Sequence, residues 1–318
     1  MNITRCFFVL SAIFVFLNPL YAEFAGQSGK WHIKEGNHFK IFHDSDSPPL
    51  GIEMGLEKLY SRMRMDFGMF APWIKKLGRE KSERKIKIYI YKNRETYVSG
   101  RFSPPKWSRG IMSVSDRSIG VYEGEEEKFR PTFGIIAQEF AHNEGKNENL
   151  RPIIEVIAHE FAHLVFISFF KHEKPPPIWL DEGFAVFAEV VGVPQSSVWH
   201  DVLITTLPDE FMSFKKFFDY QITEKTSEKE ITDWYLQAYG IVKFLFRSSK
   251  RLQFKVFCEH IRDGMTFKKA LGKVYGYWTL EHFETAWKKW LVSDARKSNK
   301  LPFSVDIPAF SLMDFGVT

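Results

Sequence analysis

The feature that most constrains this chain is a polar pattern inside a largely apolar segment at residues 153–170. The pattern is His-Glu-x-x-His, formed by His159, Glu160 and His163. Side chains four positions apart lie on one face of a helix, so both imidazoles can reach a single ion. Two histidines buried without a partner would be costly to desolvate. The segment therefore predicts a core helix whose imidazoles hold a metal ion.

A third ligand is needed, because the pattern alone arises by chance in roughly one or two per hundred chains of this length. Glu182 provides it: 18 residues separate it from His163, and the prolines at residues 175–177 allow the next helix to fold back. Asp181 is the competing carboxylate, and it is better placed as the N-cap of that helix. Catalytic zinc typically has three protein ligands and an open water position. The sequence thus predicts one Zn²⁺ ion held by the histidine pair and Glu182.

Two further carboxylates of this region have predicted roles. Glu160 follows His159 on the helix, so it can face a metal-activated water and act as a general base. Glu189 lies seven residues after Glu182 on the same helix face. It either braces a ligating imidazole as a hydrogen-bond acceptor or is an ordinary solvated glutamate. Asp181 is the other candidate for such a supporting role.

Periodicity predicts an α+β fold with a small mixed sheet and a helix first. The strand-rich stretches are residues 30–43, 85–91 and 109–122, and residues 51–67 form an amphipathic helix. From residue 151 the pattern is mainly helical, with helices expected at residues 153–170, 181–191, 234–246, 254–263, 266–275 and 280–291. The expected organisation is a leader (1–22), an N-terminal α/β lobe (23–150) with an inserted loop (124–150), and a helical zinc-binding lobe (151–318), the two lobes forming one catalytic unit.

The inserted loop contains a near-copy of the metal-binding pattern at residues 136–142. Gln138 stands where the later segment has His159, so the copy lacks the first imidazole of the pair. We interpret it as a loop with a short helix, and a binding role for His142 is the alternative.

The first residues predict export. Arg5 precedes a short apolar stretch at residues 6–17, and Ala22 is placed for cleavage before Glu23, which is typical of a secretory signal peptide. An uncleaved membrane anchor is the alternative. Removal of the leader leaves Cys258 alone, and an exported protein without disulfides suits a bacterial envelope, periplasmic or secreted.

The charge balance says little about partners, since the formal net charge is only +5 at pH 7. We expect no nucleic-acid partner and no stable membrane insertion after signal cleavage. The sequence leaves the oligomeric state open.

The metal motif and its surroundings resemble the gluzincin clan of metallopeptidases. The resemblance rests on the His-Glu-x-x-His pattern, the 18-residue spacing between His163 and Glu182, and the position of Glu182 within Trp-Leu-Asp-Glu-Gly-Phe-Ala. Asp181 replaces the usual Asn of aminopeptidase N-like members. The preceding α/β region and the C-terminal Leu-Glu-x-Phe-Glu-x-x-Trp pattern from Leu280 look closer to the bacterial peptidase MA-like family. The resemblance implies a thermolysin-like catalytic domain that acts on peptide or protein substrates.

The resemblance also implies an oxyanion donor and a mechanism. Tyr235 aligns with a tyrosine that donates a hydrogen bond to the oxyanion in such enzymes, and Tyr239, one turn on, is the fallback. A zinc-activated water would attack the peptide bond with Glu160 as general base.

Two alternatives differ from a general peptidase. An aminopeptidase of the same clan would need a Gly-x-Met-Glu-Asn strand, of which only Gly120 and Glu123 are present here. A secreted scaffold module with a structural zinc site would not need Glu160.

Overall fold

The computed structural model describes residues 31–45, 50–77, 85–104, 108–123, 150–170, 174–192, 198–223, 225–247 and 251–297. Two expectations lie outside these residues: the leader, and the inserted loop with its short helix and His142.

The described residues contain a five-stranded mixed sheet at the N-terminal end of the chain, in the order β1-β2-β3-β5-β4. Strands β2, β3 and β5 are parallel to one another, whereas β1 and β4 pair antiparallel at the two outer positions. All three predicted strand regions are therefore confirmed. The strands are β1 (His32–Glu35), β2 (Phe39–His43), β3 (Ile86–Tyr91), β4 (Gly110–Ser113) and β5 (Ser118–Tyr122).

Helices dominate the rest of the described chain, which confirms the α+β class. Each helix predicted within the described residues is present, and four short ones were not foreseen: α2, α3, α6 and α7. The helices are α1 (Ile52–Asp66), α2 (Ala71–Leu77), α3 (Arg94–Val98), α4 (Leu150–Phe170), α5 (Ile178–Gly192), α6 (Val198–Thr205), α7 (Phe214–Asp219), α8 (Glu228–Arg247), α9 (Arg251–Arg262), α10 (Phe267–Tyr275) and α11 (Leu280–Lys297).

Helices α4, α5, α8 and α9 begin three to six residues before their predicted starts, and the hydrogen bonds of α5 and α8 explain two of these differences. Helix α5 begins at Ile178, and the backbone N–H of Asp181 already donates to the Pro177 carbonyl at 3.1 Å. Asp181 is therefore inside the first turn, and its assignment as the N-cap was wrong. Helix α8 begins earlier than expected, because Ser227 and Glu230 hydrogen-bond each other's backbone N–H groups at 3.0 and 3.3 Å, a capping box.

One hydrophobic core joins the sheet to the helices. Helix α1 lies against β2, and α4 lies against β4 and β5. The ring of Phe161, on α4, is 6.1 Å from that of Phe39 in β2 and 6.2 Å from that of Tyr60 in α1. All three side chains are buried. The core therefore fixes the metal-motif helix directly against the sheet.

Helix α4 contains a long apolar stretch. By length and composition its stretch Ile153–Phe170 could cross a membrane, and it is the one such helix among the described residues. However, 72% of this stretch is buried inside the protein. Burial of this extent is typical of the core helix of a globular domain.

Candidate metal centre

Three side chains from two adjacent helices converge on one point. Helix α4 presents His159 and His163, whose ring centroids are 4.7 Å apart. Helix α5 presents Glu182, whose Oε2 is 3.5 Å from Nε2 of His159 and 3.7 Å from Nε2 of His163. One ligand atom from each of the three residues lies within 4.8 Å of the others. The structure thus brings together the residues that the sequence predicted as ligands.

The outer nitrogens of both imidazoles face other carboxylates. Nδ1 of His159 is 2.5 Å from Oε1 of Glu189, and Nδ1 of His163 is 3.0 Å from Oδ1 of Asp181. A carboxylate at Nδ1 favours the tautomer with its proton there and leaves the Nε2 lone pair available. Both imidazoles therefore present Nε2 toward Glu182. Asp181, on the opposite nitrogen of His163, supports a ligand instead of competing as one.

The carboxylates determine the charge of the histidines when no metal is bound. Burial lowers the pKa of His163, but Asp181 and Glu182 outweigh that effect and raise it to about 9. Burial likewise lowers the pKa of His159, whereas Glu182 and Glu189 raise it, and the net result is well above the ordinary value. Without a bound cation, the carboxylates therefore favour the protonated form of both imidazoles.

Glu160 lies beside this group without joining it. Its side chain is buried, and Oε2 has no hydrogen-bond partner among the described residues. Burial raises the pKa of its carboxyl, an effect that the charges of His159 and His163 partly offset. A buried carboxylate with an unused acceptor oxygen and a raised pKa has the properties of a general base.

Strand β4 passes directly over Glu160. A Cβ atom on Gly110 would lie 2.9 Å from Oε1 of Glu160 and 2.5 Å from Cγ1 of Val156, so only glycine permits this approach. The Ser108 hydroxyl donates to the Gly110 carbonyl and lies 2.9 Å from the hydroxyl of the buried Tyr97. The two contacts of Ser108 hold the start of β4 at the site, and nothing in the sequence indicated them.

Of the two candidate tyrosines, Tyr235 lies near the site. The negative charges of Glu182 and Glu160 both act on its hydroxyl. Burial, together with the negative charge of Glu182, raises the pKa of Tyr235 well above the ordinary value, so the phenol keeps its proton. Tyr239 is fully buried, with its ring 6.3 Å from that of Phe187. The fallback tyrosine is therefore a core residue.

Glu123, the carboxylate considered for an aminopeptidase, extends in another direction. It follows β5, and its Oε1 accepts a hydrogen bond of 3.2 Å from Ser45. Ser45 follows β2, which lies beyond β3 in the sheet. The observed contact of Glu123 is thus with the β2 side of the sheet, away from β4 and Glu160.

Trp199 is a neighbour of the site that the sequence did not indicate. It lies in the short helix α6, and its indole Nε1–H donates a 3.1 Å hydrogen bond to Oε2 of Glu189. No motif surrounds Trp199, so no local signal could have marked it.

The side chains present fit a zinc ion. Two imidazole nitrogens and one carboxylate oxygen form a known catalytic zinc set. Nε2 of His163 is buried and has no hydrogen-bond partner among the described residues. A bound cation would provide that missing partner and would offset the charge of Glu182, which is 1% exposed.

Comparison with known families agrees with this site. Residues 146–293 match the family model described as Peptidase MA superfamily. The match includes α4, α5 and α8, which carry the three candidate ligands, Glu160 and Tyr235. It supports a gluzincin-type peptidase family, and hence a zinc metallopeptidase-like domain in this segment. No curated protein matches the chain.

Proposed function

We propose that this protein is an exported zinc-dependent peptidase that hydrolyses bonds within peptide or protein substrates. One observation carries the proposal: the three converging side chains of His159, His163 and Glu182 lie beside Glu160, a buried carboxylate with an unused acceptor oxygen. A structural site typically has four protein ligands and has no use for a non-ligating carboxylate such as Glu160. The leader at residues 1–22 supports a location in the bacterial envelope, periplasmic or secreted.

Each side chain has a distinct part in the proposed hydrolysis. Zinc bound by the three ligands would supply a strong Lewis acid that activates water and polarises the substrate carbonyl. Glu160 accepts a proton from the attacking water and transfers it to the departing amine. Tyr235, which keeps its proton, donates a hydrogen bond to the oxygen on which negative charge develops. Glu189 and Asp181 hold the two imidazoles in place.

The sheet supports an extended polypeptide as the substrate. Strand β4 is an outer strand among those described, and its Gly110 lies against Glu160. Outer strands pair readily with an added peptide strand through main-chain hydrogen bonds. A peptide bound in this way would pass the general base, whereas Glu123, the residue that could hold an amino terminus, contacts Ser45. We therefore propose cleavage within chains over removal of N-terminal residues.

The test is hydrolysis of a protein such as casein, together with a blocked peptide and an amino-acid anilide. We expect cleavage of the first two, loss of cleavage with a chelator, and recovery with zinc. Glu160→Gln should keep stoichiometric zinc and lose at least about 100-fold in rate, the usual contribution of a general base. Zinc-loaded wild type without hydrolysis, or full activity in the variant, would contradict the proposal.

A further inference from the structure

The Glu189 carboxylate has a partner on each oxygen. Oε1 lies 2.5 Å from Nδ1 of His159, and Oε2 accepts a 3.1 Å hydrogen bond from Nε1 of Trp199. An indole N–H can only donate a hydrogen bond, so Trp199 cannot accept the proton that His159 shares with Glu189. The two contacts together leave the carboxylate little freedom to rotate. The orientation of the His159 ring therefore depends on an indole two hydrogen bonds away.

Helix α6, which carries Trp199, is anchored by contacts that do not involve the site. Val202, Leu203 and Ile204 are buried in the core. His200, next to Trp199, places Nδ1 2.8 Å from Nζ of Lys243 on α8. That ammonium also pairs with Asp294 of α11 at 2.7 Å. Trp199 thus extends toward Glu189 from a fixed element, and α6 should keep its position when the indole is changed.

We propose that Trp199 is a positioning residue of the metal site, acting through Glu189 on His159. The proposal depends on the proposed function, since it takes the three ligands to be a zinc site. Trp199 donates its hydrogen bond to Glu189, and its part is to fix the carboxylate that orients one ligand. Its loss should therefore weaken metal binding without removing a ligand.

Zinc affinity, measured by competition with a chromophoric chelator, tests the proposal without any substrate. Trp199→Phe keeps most of the ring and removes the N–H. We expect a roughly threefold to tenfold weaker zinc affinity, since loss of a direct partner of a ligating histidine typically costs about 10- to 100-fold. The loss of zinc affinity in Glu189→Ala should lie within that 10- to 100-fold range. Trp199→Leu also lacks the N–H donor and should show a loss similar to that of Trp199→Phe, and melting temperatures of both variants verify that they are folded.

The double variant shows whether Trp199 acts through Glu189. In a Glu189→Ala background, Trp199→Phe should cause no further loss of zinc affinity, because the carboxylate that it positions is gone. Equal losses in both backgrounds would overturn the proposal. So would unchanged affinity in Trp199→Phe.

A matched control separates positioning from general destabilisation. Trp287 is fully buried, its ring lies 5.0 Å from that of Phe211, and its Nε1 has no hydrogen-bond partner among the described residues. Trp287→Phe should lower the melting temperature and leave zinc affinity unchanged; a loss equal to that of Trp199→Phe would overturn the proposal. If wild type itself binds no zinc, the proposed function fails and this inference fails with it. If wild type binds zinc and Trp199→Phe binds it equally well, only the inference fails.

Discussion

At the scale of single residues, the site consists of two imidazoles whose ring nitrogens each face a carboxylate. Glu182 faces Nε2 of both rings, at 3.5 and 3.7 Å, while Glu189 and Asp181 take the outer nitrogens. Three buried or half-buried carboxylates this close together are stable only with compensating charge. Protonated imidazoles provide it in the metal-free protein, and a divalent cation would provide it in the loaded one.

This balance predicts that zinc binding releases protons. The pKa of His163 is raised from 6.5 to about 9, and that of His159 is raised as well, which favours the protonated form of both rings. A metal ion requires neutral imidazole. Zinc affinity should therefore rise with pH until the metal-free rings lose their protons. Calorimetric titration in buffers of different ionisation enthalpy should show release of roughly one to two protons per zinc. Identical heats in all buffers would contradict the shifts.

The proposed oxyanion donor gives a second prediction at this scale. Tyr235→Phe removes the hydroxyl beside Glu182 and should reduce kcat by about 100- to 1,000-fold, the usual effect of losing one oxyanion donor. Zinc stoichiometry should not change, because Tyr235 is not a ligand. Tyr239→Phe is the matched control: this ring is fully buried next to Phe187, and its variant should stay within a fewfold of wild type. Equal kcat values for the two variants would remove Tyr235 from the mechanism.

At the scale of elements, the site depends on the close approach of α5 and α8. A Cβ atom on Gly183 would lie 2.5 Å from the Ala238 carbonyl oxygen and 2.7 Å from Cγ2 of Val242. Because the nearest atoms belong to the backbone of α8, a side chain here can be accommodated only if the helices separate. Gly183 adjoins Glu182, and α8 carries Tyr235. The glycine therefore sets the distance between a ligand and the proposed oxyanion donor.

Gly183→Ala should consequently affect both stability and catalysis. We expect a loss of about 1–3 kcal/mol in the free energy of unfolding, the usual cost of overpacking, and a lower kcat with zinc retained. Chemical denaturation and steady-state kinetics provide the two measurements. Gly68→Ala is the control, because a Cβ atom there would meet no atom within 4 Å. Near-neutral stability for both variants would show that the helices are not in tight contact.

The elements also show what the sequence could and could not predict. Alternating residues in β3 and the three-to-four spacing in α1 gave correct strands and helices, because each has one face in the core. The start of α5 was misplaced, since Asp181 looks like a cap but follows three prolines that let the helix begin at Ile178. Short helices such as α6 have too few turns for the helical spacing of apolar residues to be recognised in the sequence. The Trp199–Glu189 contact, ten residues apart and between two helices, has no sequence signature.

At the scale of the whole molecule, the sheet and the helices share one core. Phe39 and Ile88 of the sheet belong to the same buried cluster as Phe161, Phe184 and other residues of the helices. The motif helix is thus covered on one side by strands that lie outside the matched family segment. Removing the strands would expose this apolar surface to water.

Residues 150–297 alone should therefore not form a stable domain. We expect the fragment to aggregate or to lack a cooperative thermal transition and near-ultraviolet circular dichroism, whereas the chain from residue 23 onward should unfold in a single transition. A fragment with dispersed amide resonances and a sharp transition would show that the helical part folds independently of the sheet.

Zinc-edge X-ray absorption on protein loaded with one equivalent of metal tests whether His159, His163 and Glu182 hold one zinc ion. We expect a shell of nitrogen and oxygen at about 2.0–2.1 Å with the multiple scattering of two imidazoles. His163→Ala should remove the imidazole scattering of one ring or abolish binding altogether. A sulfur shell at about 2.3 Å, a shell without imidazole, or no stoichiometric zinc in the wild type would contradict the account.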